Sequence, residues 1–242
     1  MTDYRAYEWM VRHMNDKERW DYVKEEMRTE PLTLSPKISH TIRNTEHGLL
    51  FILARYKFPL KMLLPRKHLK VLDLGCNDGL GDLMIFQDCD CEQVVGVDFD
   101  ADAIAWANAN IACEGLSFIA GDFMGMDVYP RGGDAVISLD VIEHIPVERE
   151  DEYFSTICKN LKKNGIAIIG TPNVTMVPYS SPWNKIAHIN NYSQTRLYEA
   201  MSKYFENVFI FGMNDEVLHT GMYPMASYIM AMGCGVRERE DK

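Results

Sequence analysis

The sequence predicts an α/β protein: a doubly wound sheet of seven strands, parallel except for one antiparallel edge strand, preceded by a helical N-terminal cap. Three observations carry that prediction. From Leu69 onward, short apolar runs alternate with segments of helical periodicity, the rhythm of strand–helix–strand units. Several of these runs end in glycine or an acid (Leu74-Gly75, Val97-Asp98, Leu139-Asp140), which puts chemistry at the strands' carboxyl ends, where such sheets bind ligands. Residues 1–65 lack this rhythm and show helical spacing instead, so they read as a cap on a ligand-binding domain spanning 66–242.

Charge and composition narrow the function classes. A chain of 242 residues, 47% hydrophobic and 25% charged, fits one large globular domain or a domain with an added cap. A formal net charge of −10 argues against nucleic acid as a partner, because phosphate contacts need a basic face. It equally disfavours an anionic membrane surface. The apolar run Leu49 to Ala54 is far too short to span a bilayer, and Met1-Thr2-Asp3-Tyr4 has no basic or apolar leader character. The six cysteines (76, 89, 91, 113, 158 and 234) form no Cys-x-x-Cys pair, so reduced thiols and a cytoplasmic location are expected.

In chain order, Tyr7, Met10, Val11 and Met14 recur at helical spacing, and a charged stretch from Asn15 to Glu30 follows, closed by Pro31. Ser35-Pro36 breaks the pattern, and a further helical segment runs from about Ser39 to Tyr56, toward Pro59. Lys70 to Gly81 is an apolar strand, a glycine-containing turn and the start of a helix (Leu83, Met84, Phe86). Gly75 and Gly79 can take positive φ and admit a ligand close to the backbone, and the free N–H groups opening the helix favour an anionic group. The spacing is Gly-x-x-x-Gly-x-Gly, which is neither the nicotinamide fingerprint nor a P-loop.

Val94 to Asp98 is the second strand, and Asp98 lies about 20 residues beyond the glycine turn, where an acid meets ribose hydroxyls in this architecture. Phe99 can lie against an adenine. Asp100 opens a helix with Ile104, Ala107 and Ile111 on its buried stripe. Leu116 to Ala120 is the third strand, followed by Gly121-Asp122-Phe123, and Asp134 to Asp140 is the fourth, followed by Val141-Ile142-Glu143-His144-Ile145-Pro146. A helix from Arg149 to Asn160 carries acids early and lysines late, as the macrodipole prefers, with Gly165 expected to end it. Gly165 to Asn173 is the fifth strand. The aromatic, proline-bearing stretch from 174 to 192 has the length of a functional lid. Ser193 caps a last helix; strands near Val208 to Gly212 and Ala226 to Met232 complete the sheet, and Gly233 to Lys242 reads as a frayed tail.

Val71-Leu72-Asp73-Leu74-Gly75-Cys76-Asn77-Asp78-Gly79 resembles motif I of the class I S-adenosylmethionine-dependent methyltransferases, usually worded Val-Leu-Asp-Leu-Gly-Cys-Gly-x-Gly. The departure is Asn77, a residue type that tolerates left-handed φ and whose amide adds a polar contact. Asp98, Asp122-Phe123, Val-Ile-Glu-His-Ile at 141–145 and Thr171-Pro172-Asn173 are similar to later motifs of that family, in the same order, so the resemblance covers about residues 69–175. It implies a Rossmann-like fold binding S-adenosylmethionine through Gly75, Cys76, Asn77, Gly79, Asp98, Phe99, Asp122, Phe123 and the carbonyl end of the fourth strand at Leu139. It also implies an N-terminal helical segment closing over the site, making His40, Arg43, His47, Arg55 and Tyr56 candidates to reach it, with Arg43 or Arg55 suited to the cofactor's carboxylate.

An oxygen acceptor must lose a proton, and His144 and His188 are the candidate bases. Asp140 or Glu143 with a histidine has the chemistry to hold a divalent cation, but the linear spacing gives no ligand motif, so no metal is expected. The family wording around Thr171-Pro172-Asn173 and the polar, aromatic lid resemble members acting on small polar acceptors, first a hydroxyl of a sugar or surface-saccharide precursor. N-methylation of an amino sugar and O-methylation of a quinone precursor are the alternatives. From a different class, a non-catalytic S-adenosylmethionine-binding partner subunit also fits, whereas a nicotinamide oxidoreductase is disfavoured by the spacing around Gly75. The expected partner is a small molecule, with no nucleic acid and no membrane insertion; a homo-oligomer is compatible.

Overall fold

The structure is a computed structural model, which describes residues 4–29, 32–44 and 48–238. The chain divides into two compact units, Met1–Thr33 and Leu34–Lys242.

The first unit contains helices α1 (Tyr4–His13) and α2 (Asp16–Glu26). Asn15 starts α2 with a capping box: its side chain accepts from the Glu18 N–H, and the Glu18 carboxylate accepts from the Asn15 N–H. No residue of α2 is buried, as its charged sequence leads one to expect. The side chains of Tyr7 and Met10, and Pro31, lie outside the described residues.

The second unit opens with α3 (Pro36–Asn44) and α4 (Gly48–Leu63), followed by alternating strands and helices: β1 (Leu69–Leu74), α5 (Leu80–Asp88), β2 (Cys91–Asp98), α6 (Ala101–Asn110), β3 (Leu116–Ala120), β4 (Gly133–Leu139), α7 (Glu150–Asn160) and β5 (Leu161–Pro172). Then come a 3-10 segment (Val174–Tyr179), α8 (Pro182–Ala187), α9 (Gln194–Ser202), β6 (Phe205–Asn214), β7 (Val217–His219) and β8 (Tyr228–Val236). α4 does not stop at Pro59 but carries it inside, buried, at the cost of one backbone hydrogen bond that core packing offsets.

The eight strands run in the order β3-β2-β1-β4-β5-β8-β6-β7. β1 to β5 pair in parallel, and β8 lies antiparallel between β5 and β6. The expected seven strands become eight, and two of them run against the rest: β8 inside the sheet, and the edge strand β7, three residues folded back on β6 with Asp215 at φ +55° in the turn. Three residues are too short to show an alternation. Gly233, expected in a frayed tail, sits within β8 and pairs with Ala167 and Val208, while 239–242 lie outside the described residues. α7 ends at Leu161, whose extended backbone starts β5, so Gly165 is a strand residue rather than a cap.

Strand alternation sorts the core into two layers. Leu69, Val71, Ala135, Ile137 and Ile168 face α4, α5 and α6, whereas Leu72, Leu74, Val95, Val97, Val136 and Ile169 face α7 and α9. Both faces are covered, as a parallel sheet requires.

Candidate active site

The strand order reverses at β1 and β4, and a cavity of about 660 Å³ opens at their carboxyl ends. Gly75, Asn77 and Gly79 take φ of +85°, +52° and +74°. The turn is anchored by the Gly75 and Cys76 N–H groups, which donate to the Val97 carbonyl at 2.8 and 3.2 Å. A Cβ on Gly75 would lie 2.2 Å from Val141 Cγ2, and one on Gly79 would lie 2.4 Å from the Phe118 ring, so both positions demand glycine for space as well as for φ. Asn77 occupies the left-handed position with its side-chain Oδ1 buried and without a partner at the cavity wall.

Asp98 ends β2 and is 6% exposed. Its Oδ2 accepts from the Asn77 N–H at 2.8 Å and its Oδ1 from the Asp100 N–H at 2.9 Å, so the carboxylate ties the glycine turn to the α6 cap. Each oxygen keeps a second lone pair for a ligand hydroxyl. Phe99 is exposed at the cavity mouth. Asp122 lines the cavity but is engaged, accepting from the Met124 N–H at 2.9 Å and pairing with Arg149 at 3.3 Å. Phe123 is buried edge-on to Tyr153. Leu139 ends β4, and the next residue, Asp140, turns at φ +58° with its N–H on the Gly170 carbonyl.

Of the N-terminal candidates, Arg55 and Tyr56 line the cavity, His40 and Arg43 do not, and His47 lies outside the described residues. Arg55 is committed to the protein: it donates to Asp140 Oδ2 at 2.5 Å, and its guanidinium stacks 4.2 Å from the Tyr228 ring. The Tyr56 hydroxyl donates to Asp73 Oδ2 at 2.8 Å beneath the glycine turn. Burial raises the Asp73 carboxyl to about 7, with the hydrogen bond from Tyr56 opposing that shift and the Asp98 charge adding to it. Sequence reasoning missed Ser35, Lys37 and Ile38. Ser35 caps α3, accepting from the Ile38 N–H at 2.9 Å, and its hydroxyl donates to the buried Asp78 of the glycine turn. The Ser35-Pro36 pair, a helix-start signal, was the available clue.

The opposite end of the cavity is built on the 3-10 turn Ile142–His144. Glu143 is 1% exposed, with one carboxylate oxygen accepting from the Thr171 hydroxyl at 2.9 Å and the other, Oε1, without a partner. Burial, with the Asp140 charge added, pushes its carboxyl up to about 8. His144 lines the cavity, its Nδ1 3.0 Å from the Ala187 carbonyl, which leaves Nε2 with a free lone pair. His188 follows α8 and sets its ring against His144, with centroids 4.9 Å apart at 84°. Burial and the neighbouring His144 lower its pKa below the ordinary imidazole value. His188 is beside the cavity rather than in its wall.

Among curated proteins, the chain is 36% identical over 104 residues to a sterol 24-C-methyltransferase of Candida albicans, covering 41% of this chain and 27% of that protein. It is 32% identical over 119 residues to the cyclopropane-fatty-acyl-phospholipid synthase of Escherichia coli, covering 46% and 29%. The chain thus spans under a third of the length of the curated relatives it matches. A solved geranyl diphosphate C-methyltransferase of Streptomyces coelicolor, in complex with Mg2+, geranyl-S-thiolodiphosphate and S-adenosyl-L-homocysteine, shares the fold at TM-score 0.56 and 16% identity over 77% of this chain and 76% of that one. The model of a family described as a methyltransferase domain matches residues 65–217, from the strand that opens the sheet to the last hairpin. With the reversed strand order and the glycine turn beneath the cavity, that match decides the family: the chain belongs to the methyltransferase-domain family and has the fold of its S-adenosylmethionine-dependent members.

Proposed function

We propose that this chain transfers a methyl group from S-adenosylmethionine to a small polar acceptor held at the His144 end of the cavity. The observation that carries the reading is one cavity with a glycine cradle and a strand-end carboxylate at one end, and an imidazole with a free nitrogen at the other. The residues fit the cofactor. The cradle at Gly75 and Gly79 has no room for a Cβ, and the unpartnered Asn77 Oδ1 offers an acceptor for an ammonium or amide donor. Asp98 offers two lone pairs to ribose hydroxyls, Phe99 a face for the adenine, and the Leu139 carbonyl end an acceptor for the ammonium. Arg55, held by Asp140, shapes the wall rather than binding the carboxylate.

When bound, S-adenosylmethionine supplies an electrophilic methyl group on a sulfonium. The protein's part is alignment, since in-line displacement depends chiefly on positioning. With Nδ1 on the Ala187 carbonyl, the His144 imidazole in the cavity wall is free through Nε2 to take part in removing the acceptor's proton, with the His188 ring packed against it. The stretch 174–192 acts as a lid: α8 brings Ala187 to the cavity wall and His188 to His144, while Tyr179 and Trp183 stand exposed on its outer side. A hydroxyl of a sugar or saccharide precursor would meet His144, Arg55 and Asp140 among the apolar Val141, Ile145 and Pro146, with an amino sugar or a phenolic quinone precursor next. The matched curated relatives are named for carbon and lipid acceptors, so an unsaturated lipid belongs in the same screen.

Calorimetric titration with S-adenosylhomocysteine, with NAD as control, tests the donor. Micromolar binding of the first alone is expected; binding of NAD instead overturns the reading. Transfer of labelled methyl to sugar nucleotides, amino sugars, phenols and unsaturated lipids then sorts the acceptors.

A further inference from the structure

We propose that Glu143, His144 and His188 bind one divalent first-row transition-metal ion beside the acceptor end of the cavity, reached through the wall at His144. The inference deepens the methyl-transfer reading and rests on it for its role, not for the site itself. The ligand atoms of the three residues all lie within 4.8 Å of one another, so small rotations of the imidazoles bring them to one ion. They come from the 3-10 turn after β4 and from the residue after α8, and the turn is tied to the lid by the Asn190 N–H on the Glu143 carbonyl at 3.0 Å.

Two further observations point to a cation. Glu143 Oε1 is buried without any partner, while its twin oxygen is fixed by Thr171. An unpaired buried carboxylate oxygen is costly, and a bound cation removes that cost. His144 has the support typical of a metal ligand: Nδ1 is spent on the Ala187 carbonyl, which orients the ring and leaves Nε2 as donor. The nearby Arg55 is neutralised by its contact with Asp140, so it does not repel an ion.

Two imidazoles and one carboxylate suit Mn(II), Fe(II), Co(II) or Zn(II) better than Ca(II), and three protein ligands leave positions open for acceptor oxygens. In this arrangement the histidines act through the ion rather than as proton acceptors. An acceptor hydroxyl on the ion is acidified and releases its proton to solvent; its oxygen then forms the bond to the methyl carbon as the carbon–sulfur bond breaks, leaving the electron pair on a neutral thioether.

The test is titration of chelator-treated full-length protein with Co(II) and Zn(II), following heat and the visible cobalt spectrum, with S-adenosylhomocysteine binding measured on the same samples. One ion per chain is expected, with cobalt bands of mixed nitrogen and oxygen ligation. His188→Ala and Glu143→Gln should each weaken binding at least tenfold while S-adenosylhomocysteine still binds; His188→Ala alters a half-buried group and keeps the test available should Glu143→Gln fail to fold. No binding at millimolar metal, or binding indifferent to His188→Ala, overturns the site. Cofactor binding without metal binding sinks only this proposal. Metal binding without cofactor binding upholds the site and sinks the methyl-transfer reading.

Discussion

Asp98 does two jobs at once, and substitutions separate them. Its carboxylate fixes two backbone N–H groups as well as facing the ligand, so Asp98→Ala should cost about 1–3 kcal/mol of stability in addition to weakening S-adenosylhomocysteine binding more than tenfold. Urea unfolding beside calorimetry reads both. Gly75→Ala forces a Cβ onto Val141 at a left-handed position, and the conformation alone costs roughly 1–2 kcal/mol. Adding Val141→Ala should recover stability but not the conformational part, which a double-mutant cycle measures. Asp73 predicts a pH effect. Its folded pKa of about 7 lies above the ordinary carboxyl value of 3.8, so the folded state binds the extra proton between those values, and Asp73's contribution to stability falls as pH rises through that window. Asp73→Asn, which still accepts from Tyr56, should flatten the decline; unfolding curves from pH 4 to 8 check it. These residue-scale facts were partly open to sequence reading: Asn77 at a left-handed position and an acid at the end of β2 follow from residue type and local spacing. The second duty of Asp98 did not, because its partners depend on how the turn folds back.

At the scale of elements, α3 is fastened to the site by one side chain. Ser35 caps the helix and donates to Asp78, 43 residues away, so Ser35→Ala should cost about 1 kcal/mol and loosen Lys37 and Ile38 at the cavity wall. S-adenosylhomocysteine affinity should fall a few-fold, and hydrogen exchange across Pro36–Asn44 should quicken; an unchanged exchange rate would sink the idea. The α/β elements from β1 to β5 were legible because they carry their own signals: apolar runs, the Asp100 cap and the glycine turn. β7 was not legible, being three residues whose only reason to be a strand is the edge of β6 beside it. The β5 start was misplaced because Leu161 is held extended by its pairing with Gly133, and residues 162–165 span an irregularity before Ile166 pairs with Ala135, which no local preference announces.

At the scale of the molecule, both core layers and the whole cavity lining fall within Leu34–Lys242. Residues 34–242 alone should therefore fold cooperatively and bind S-adenosylhomocysteine; thermal unfolding by circular dichroism, with calorimetry, would show it. No described helix is long and apolar enough to cross a membrane. The sequence by itself determined the fold class, the strand–turn–helix at Gly75 and the acids at strand ends, because these rest on periodicity and backbone conformation within a few residues. Tertiary structure decided what is joined across distance: Arg55 to Asp140, 85 residues apart, β8 between β5 and β6, and Glu143 and His144 beside His188. Those arrangements depend on which surfaces the sheet brings face to face, and linear spacing carries no record of that.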